Sequence, residues 1–134
     1  MDKIKALMLK VGLDPYVEEI DNTLEALQAA VGGYIESVQL EKGVDLIVNE
    51  EGKYNGCKPN RLLVFDKDMY GLNDDVVDIV YGDCFVVGVD MASGEFTSLS
   101  DLNIVKYRQE FYYDYHTEMS RRMMRKMLFD EHHG

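Results

Sequence analysis

The chain has 134 residues, the size of one domain, and its 46% hydrophobic and 29% charged residues suffice for a buried core, which excludes a disordered, collagen-like or fibrous chain. Fourteen basic residues against 25 acidic ones give a formal net charge of -11, which disfavours a surface that tracks duplex DNA. The longest apolar runs, such as Cys84 to Val89, are too short to cross a bilayer. Met1 to Lys10 lacks the basic region and long apolar core of a secretion signal, so a cytoplasmic location is expected.

In chain order, Ile4 to Val11 reads as a first strand ending at Gly12, with Asp14 and Pro15 as turn residues. A helix follows: Asn22 stands three residues before Glu25 as a capping pair, and Leu24, Leu27 and Val31 recur at helical spacing. Gly32 and Gly33 end that helix, one of them in the left-handed position that carries no penalty without a Cβ. Tyr34 to Leu40 and Val44 to Asn49 alternate as strands, and the short Glu41-Lys42-Gly43 link between them predicts an antiparallel hairpin. Asn49 to Asn60 is polar and glycine-bearing, a loop leading to Pro59. Leu62 to Phe65 is a third apolar run, and Asp66 to Asp75 a second loop. Val76 to Tyr81 and Cys84 to Val89 read as a further strand pair turned by Gly82 and Asp83. Ser98, three residues before Asp101, signals another helix start, and neither Pro nor Gly interrupts the chain from Leu99 to Phe129. A continuous helix there would be about 45 Å long at 1.5 Å per residue and would overhang a domain roughly 36 Å across.

Charge is unevenly distributed. Arg121, Arg122, Arg125 and Lys126 lie within six positions near the C-terminus, whereas the preceding chain is strongly acidic. Cys57 and Cys84 have no neighbouring Cys or His at metal-ligand spacing and are expected as free thiols.

The stretches Pro15-Tyr16-Val17, Asn22 to Gln28, Val31 to Glu36, Asn49 to Lys53, Pro59-Asn60-Arg61 and Phe96 to Leu99 carry a resemblance, spanning about Ile4 to Tyr107, to a family of small domains of unknown function from phages, plasmids and conjugative elements. The resemblance implies no established activity. It implies a place among accessory proteins of mobile elements, some fused into larger anti-restriction or conjugation-related proteins. Lys67 to Asp75 looks inserted relative to that family, and Glu110 to Gly134 looks like a C-terminal extension.

Candidate chemistry is sparse. Asp66 to Asp75 begins like a calcium loop, with Asp66, Asp68 and Gly71 in place, but has Tyr70 at position 5 and Val77 where a bidentate Glu is needed. It reads as a solvated acidic turn. His132 and His133 sit beside the terminus without preorganisation, and His116 is the one other histidine, so neither a metal site nor a nucleophile-base pair is argued. Neither a catalytic residue nor a cofactor is expected. The most site-like patch is the loop carrying Asn49, Glu50, Asn60 and Arg61, rich in groups that donate and accept; the structural alternative is that its asparagines close turns. Arg61 reads either as an ion-pair anchor or as a fork for a carboxylate or phosphate. On the long helix, Val105, Tyr112, Tyr115, Met119, Met123 and Met127 share a stripe whose distal half points to a second chain.

The expected architecture is therefore α+β: a small, mainly antiparallel sheet packed on one helix, with residues 1–110 forming the family-like domain and 111–134 a continuous helical extension. The expected function is non-enzymatic binding of a host factor by a mobile-element accessory protein, extending to counter-defence. The alternative is an oligomeric small-ligand binder that sequesters a nucleotide-derived signal through Arg61 or the Arg121, Arg122, Arg125, Lys126 cluster. Partners are thus a second copy through Tyr112, Tyr115, Met119, Met123 and Met127, a host protein, or a nucleotide-like ligand, with no duplex DNA and no membrane.

Overall fold

The computed structural model describes residues 2–65, 76–112, 125–126 and 129–131. Its elements are β1 (Lys3–Leu9), β2 (Tyr16–Asp21), α1 (Leu24–Val31), β3 (Ile35–Glu41), β4 (Val44–Asn49), β5 (Pro59–Phe65), β6 (Val76–Tyr81), β7 (Cys84–Val89), β8 (Phe96–Thr97) and α2 (Asp101–Glu110). The main sheet runs β2-β1-β7-β4-β3, with β8 added alongside β7, and β5 and β6 form a separate two-stranded ribbon. Every one of these pairings is antiparallel, so the fold is α+β with a mainly antiparallel sheet.

The central strands are covered on both faces. Leu7, Leu9, Val44, Leu46, Val48 and Val86 pack against Leu63 and Val80 of the ribbon and against Ile104, Tyr107 and Phe111. Their neighbours Ala6, Met8, Ile47, Phe85 and Val87 face the opposite way, towards Leu27 and Val31 of α1. Successive residues of a strand point to opposite faces, so burial on both sides requires an uninterrupted apolar run such as Cys84 to Val89.

Several local expectations hold and several need correction. Gly32 ends α1 at φ +77°, and its N–H donates to the Gln28 carbonyl, the left-handed termination that only Gly adopts without strain. The cap of α1, however, is Thr23, whose hydroxyl accepts from the Ala26 N–H at 3.2 Å. Asn22 instead donates from Nδ2 to the Phe96 carbonyl. Thr23→Ala should therefore cost about 1 kcal/mol in urea unfolding, and Asn22→Ala less; the reverse order would restore Asn22 as the cap.

β2 was not among the expected strands. Tyr16, Val17 and Ile20 favour a strand, but Glu18, Glu19 and Asp21 are depleted in strands, and the segment is held by register against β1 at the sheet edge. Gly82 and Asp83 do not turn a hairpin, because β6 pairs with β5 while β7 lies between β1 and β4. They carry the chain from the ribbon into the main sheet. Ser100 caps α2, whereas the Ser98 hydroxyl accepts from the Lys5 N–H.

The uninterrupted helix over Leu99 to Phe129 is not found: α2 ends at Glu110, with Phe111 as its cap and Tyr112 beyond it. The Phe111 carbonyl, which a continuing helix would direct to a later N–H, accepts from Arg61 Nε at 3.0 Å. Nor does α2 bury the expected stripe. Ile104, Tyr107 and Phe111 face the core, within about 60° of one another on a helical wheel, while Val105 is 58% exposed.

α2 is latched to the hairpin by Glu41, whose carboxylate accepts from the Tyr107 hydroxyl at 2.6 Å and pairs with Lys106 at 2.8 Å. The hydrogen bond from Lys106, followed by that from Tyr107, holds the Glu41 carboxyl below its ordinary range. A lowered folded-state pKa contributes stability above the unfolded value, about 4.3 for Glu, and loses it as pH falls through the folded value. Tyr107→Phe should cost about 1 kcal/mol at neutral pH, the low end for a charge-assisted bond because the carboxylate is part exposed. In urea titrations the deficit should shrink below about pH 4; a deficit independent of pH would exclude Glu41 as the partner that matters.

Candidate functional site

Asn49 ends β4 and is buried. Its Nδ2 donates to the Val31 carbonyl at 3.1 Å and its Oδ1 accepts from the Glu51 N–H at 2.9 Å. One amide thus satisfies an orphan carbonyl at the end of α1 and closes the turn into the next loop.

Asn60 is 1% exposed, and its Nδ2 donates to the carbonyls of Leu9 at 2.6 Å and Gly82 at 2.9 Å. Its Oδ1 accepts from Arg61 Nη1. Arg61, 4% exposed, also sends Nη2 to the Leu13 carbonyl at 2.6 Å and Nε to that of Phe111. A rigid fork of donors suits this task, since one guanidinium ties the ribbon to the β1–β2 loop and to the end of α2. The loop patch read from the sequence therefore splits: Asn60 and Arg61 turn into the body, and Asn49 and Glu50 line a cleft.

That cleft, ≈ 240 Å³, lies between β3–β4 and the ribbon. Its floor is Val38, Val48, Leu63, Ile79 and Val80. Around the mouth stand Glu36, Glu50, Lys53, Tyr54, Asp78 and Tyr81, of which Tyr54 is 89% exposed. Lys53 pairs with Asp78 at 3.0 Å and lies 5.9 Å from the centre of the Tyr81 ring. The Asp78 hydrogen bond raises the Lys53 pKa, so the ammonium stays charged. Glu36 and Glu50 have no cation at salt-bridge distance among the described residues and leave the rim acidic. Gly52 lets the loop lie against β6: a Cβ there would stand 2.5 Å from the Tyr81 carbonyl oxygen.

Lys53, Tyr54, Asp78, Tyr81 and Glu36 were not singled out from the sequence. They come from one strand, one polar loop and the far side of a ribbon, and only the pairing of β5 with β6 places Asp78 beside Lys53. Cys57 and Cys84 are free thiols, as expected. Burial pushes the Cys84 thiol up to about 12, which leaves it un-ionised.

Of the basic cluster, Arg125 and Lys126 are helical, and Lys126 pairs with Asp130 at 2.9 Å. Arg121 and Arg122 lie outside the described residues, as do Tyr115, Met119, Met123, Met127, the 66–75 loop and all three histidines. Tyr112 is described and 38% exposed. Among the described residues no group of His, Cys, Asp and Glu is arranged to hold a metal ion, and no helix is long and apolar enough to cross a membrane.

The family model of a domain of unknown function, DUF3846, matches residues 4–112, from β1 to the residue after the α2 cap. The chain belongs to the DUF3846 family. The matched residues thus contain the sheet from Ile4 on, the ribbon, α1, α2 and the cleft, and the basic cluster lies beyond them. No curated protein and no solved structure matches the chain significantly.

Proposed function

We propose that this DUF3846 domain is a non-enzymatic binding module that takes a basic segment of a partner protein at the cleft between β3–β4 and the β5–β6 ribbon. The observation that carries the reading is an apolar floor under an acidic rim, Glu36 and Glu50 beside the Lys53–Asp78 pair, in a chain of net charge -11. Apolar area supplies affinity, and the rim selects a cation and steers its approach. The resemblance to accessory proteins of mobile elements makes a host protein the expected partner class, with counter-defence as the setting. A nucleotide-derived signal gains less support: phosphates would enter the field of the rim carboxylates, and Arg61 directs its donors to backbone and Asn60 oxygens.

Titration with fluorescent poly-L-lysine tests this. Glu36→Lys with Glu50→Lys should weaken binding at least about tenfold, and Glu18→Lys with Glu19→Lys, the same charge change on the far sheet edge, much less. Binding should also fall as salt rises from about 0.1 M to about 1 M, where the screening length drops from about 10 Å to about 3 Å. Equal effects of the two pairs would remove the cleft from the reading, and binding of mono-, di- or cyclic nucleotides in place of poly-L-lysine would replace it with the ligand-sequestering one.

A further inference from the structure

Among the described residues, the β3 edge of the sheet is open along the mouth of this cleft. β3 pairs with β4 on one side and ends the strand order on the other. Two bonds fix which of its backbone groups face outwards. The Glu50 N–H donates to the Tyr34 carbonyl at 2.9 Å, and the Val89 N–H to the Gly43 carbonyl at 2.9 Å. Antiparallel pairs alternate between bonded and non-bonded. The first bond therefore makes Glu36↔Val48 and Val38↔Leu46 the bonded pairs of β3 with β4. The second makes Asp45↔Val87 and Ile47↔Phe85 the bonded pairs of β4 with β7, which leaves Leu46 and Val48 for β3 and agrees with the first. Ile35, Ser37 and Gln39 then direct their N–H and C=O groups away from the sheet, and the side chains of Ser37 and Gln39 are exposed. Unpaired edges of this kind are templates for another strand.

We infer that an extended basic segment of the partner adds to β3 as an antiparallel strand, bonding through Ile35, Ser37 and Gln39, with alternate side chains laid over the cleft. This rests on the reading above and names how the same site is engaged. Glu36 and Val38 line the cleft while Ile35 packs on the α1 side, so in the added strand every second residue faces the acidic rim. Main-chain bonds then give affinity and the cleft gives selectivity. Charge disfavours pairing with the β3 edge of a second copy, which would bring together two chains of net charge -11 and set Glu36 against an edge of its own kind, and favours a basic segment of a partner.

The test uses the full chain and an end-capped heptapeptide alternating Lys and Val. Ser37→Pro removes an outward N–H, a substitution edge strands tolerate, and should weaken peptide binding at least about tenfold while circular dichroism stays unchanged. Val17→Pro, at the outward position of β2, should leave binding as it was. Peptides methylated on backbone nitrogen test the geometry independently of any variant's folding. In the antiparallel register the lysines face the cleft and the valine N–H groups face β3, so methylating the valine nitrogens should abolish binding and methylating the lysine nitrogens should not. If both methylated peptides bind like the parent, or Val17→Pro is the damaging variant, strand addition at β3 is overturned. Persistence of the Glu36 and Glu50 effect on poly-L-lysine would then leave the binding-module reading intact, and its loss would remove both. A dimer in light scattering that Ser37→Pro turns into a monomer would give the edge to a second copy and also overturn the inference.

Discussion

Arg61→Ala should destabilise the domain by about 3–5 kcal/mol, the range for removing one member of a buried charged network. The guanidinium serves the carbonyls of Leu13 and Phe111 and the side chain and carbonyl of Asn60. Its loss strands acceptors on three segments of the chain. Hydrogen bonds to a charged group contribute about 1.5–3 kcal/mol each, and they are not additive within one network. Arg61→Lys should recover less than half the loss, because a single ammonium cannot reach Leu13 and Phe111 together. Urea unfolding would show the deficit as a lower midpoint at unchanged slope. A loss below about 1 kcal/mol would mean that water replaces the guanidinium and that the tether is not structural.

Phe85→Ala should cost about 3–5 kcal/mol, by lost transfer energy and the cavity left behind. Phe85 is fully buried in β7, the strand between β1 and β4, on the face covered by α1. An eight-residue helix is the cover on that face, and Leu27 and Val31 alone cannot collapse into the space of a phenyl ring. Leu24→Ala, at a position 59% exposed on the same helix, should cost about 0.5 kcal/mol or less. Comparable losses from the two substitutions would place the α1 contact elsewhere than over Phe85.

What the sequence determined by itself was local. The Glu41-Lys42-Gly43 link, the Gly32 stop after Val31 and the strand runs on either side of them depend on residues within one turn of each other, where backbone preference and hydrophobic period act directly. The resemblance on Pro15 to Leu99 likewise led to a domain of unknown function, which the match over residues 4–112 bears out. Even locally, neighbours competed: Thr23 displaced Asn22 as cap and Ser100 displaced Ser98, because Asn22 and Ser98 bond across the fold to Phe96 and Lys5.

Only the tertiary structure decided how these pieces meet. Val76 to Tyr81 and Cys84 to Val89 read equally well as a hairpin, and separate because β6 pairs with β5 while β7 is enclosed by β1 and β4. The absence of Pro and Gly permitted a helix past Glu110, yet Arg61, 50 residues away in sequence, takes the Phe111 carbonyl at the point where α2 stops. Asn49, Glu50, Asn60 and Arg61 looked like one patch because they share a loop region, and the fold buries Asn49, Asn60 and Arg61 and leaves Glu50 exposed at the cleft with Asp78 and Tyr81. Periodicity and capping carry information over a few residues. A strand order and a shared cleft depend on which buried surfaces find each other across the whole chain, and local preference is neutral on that choice.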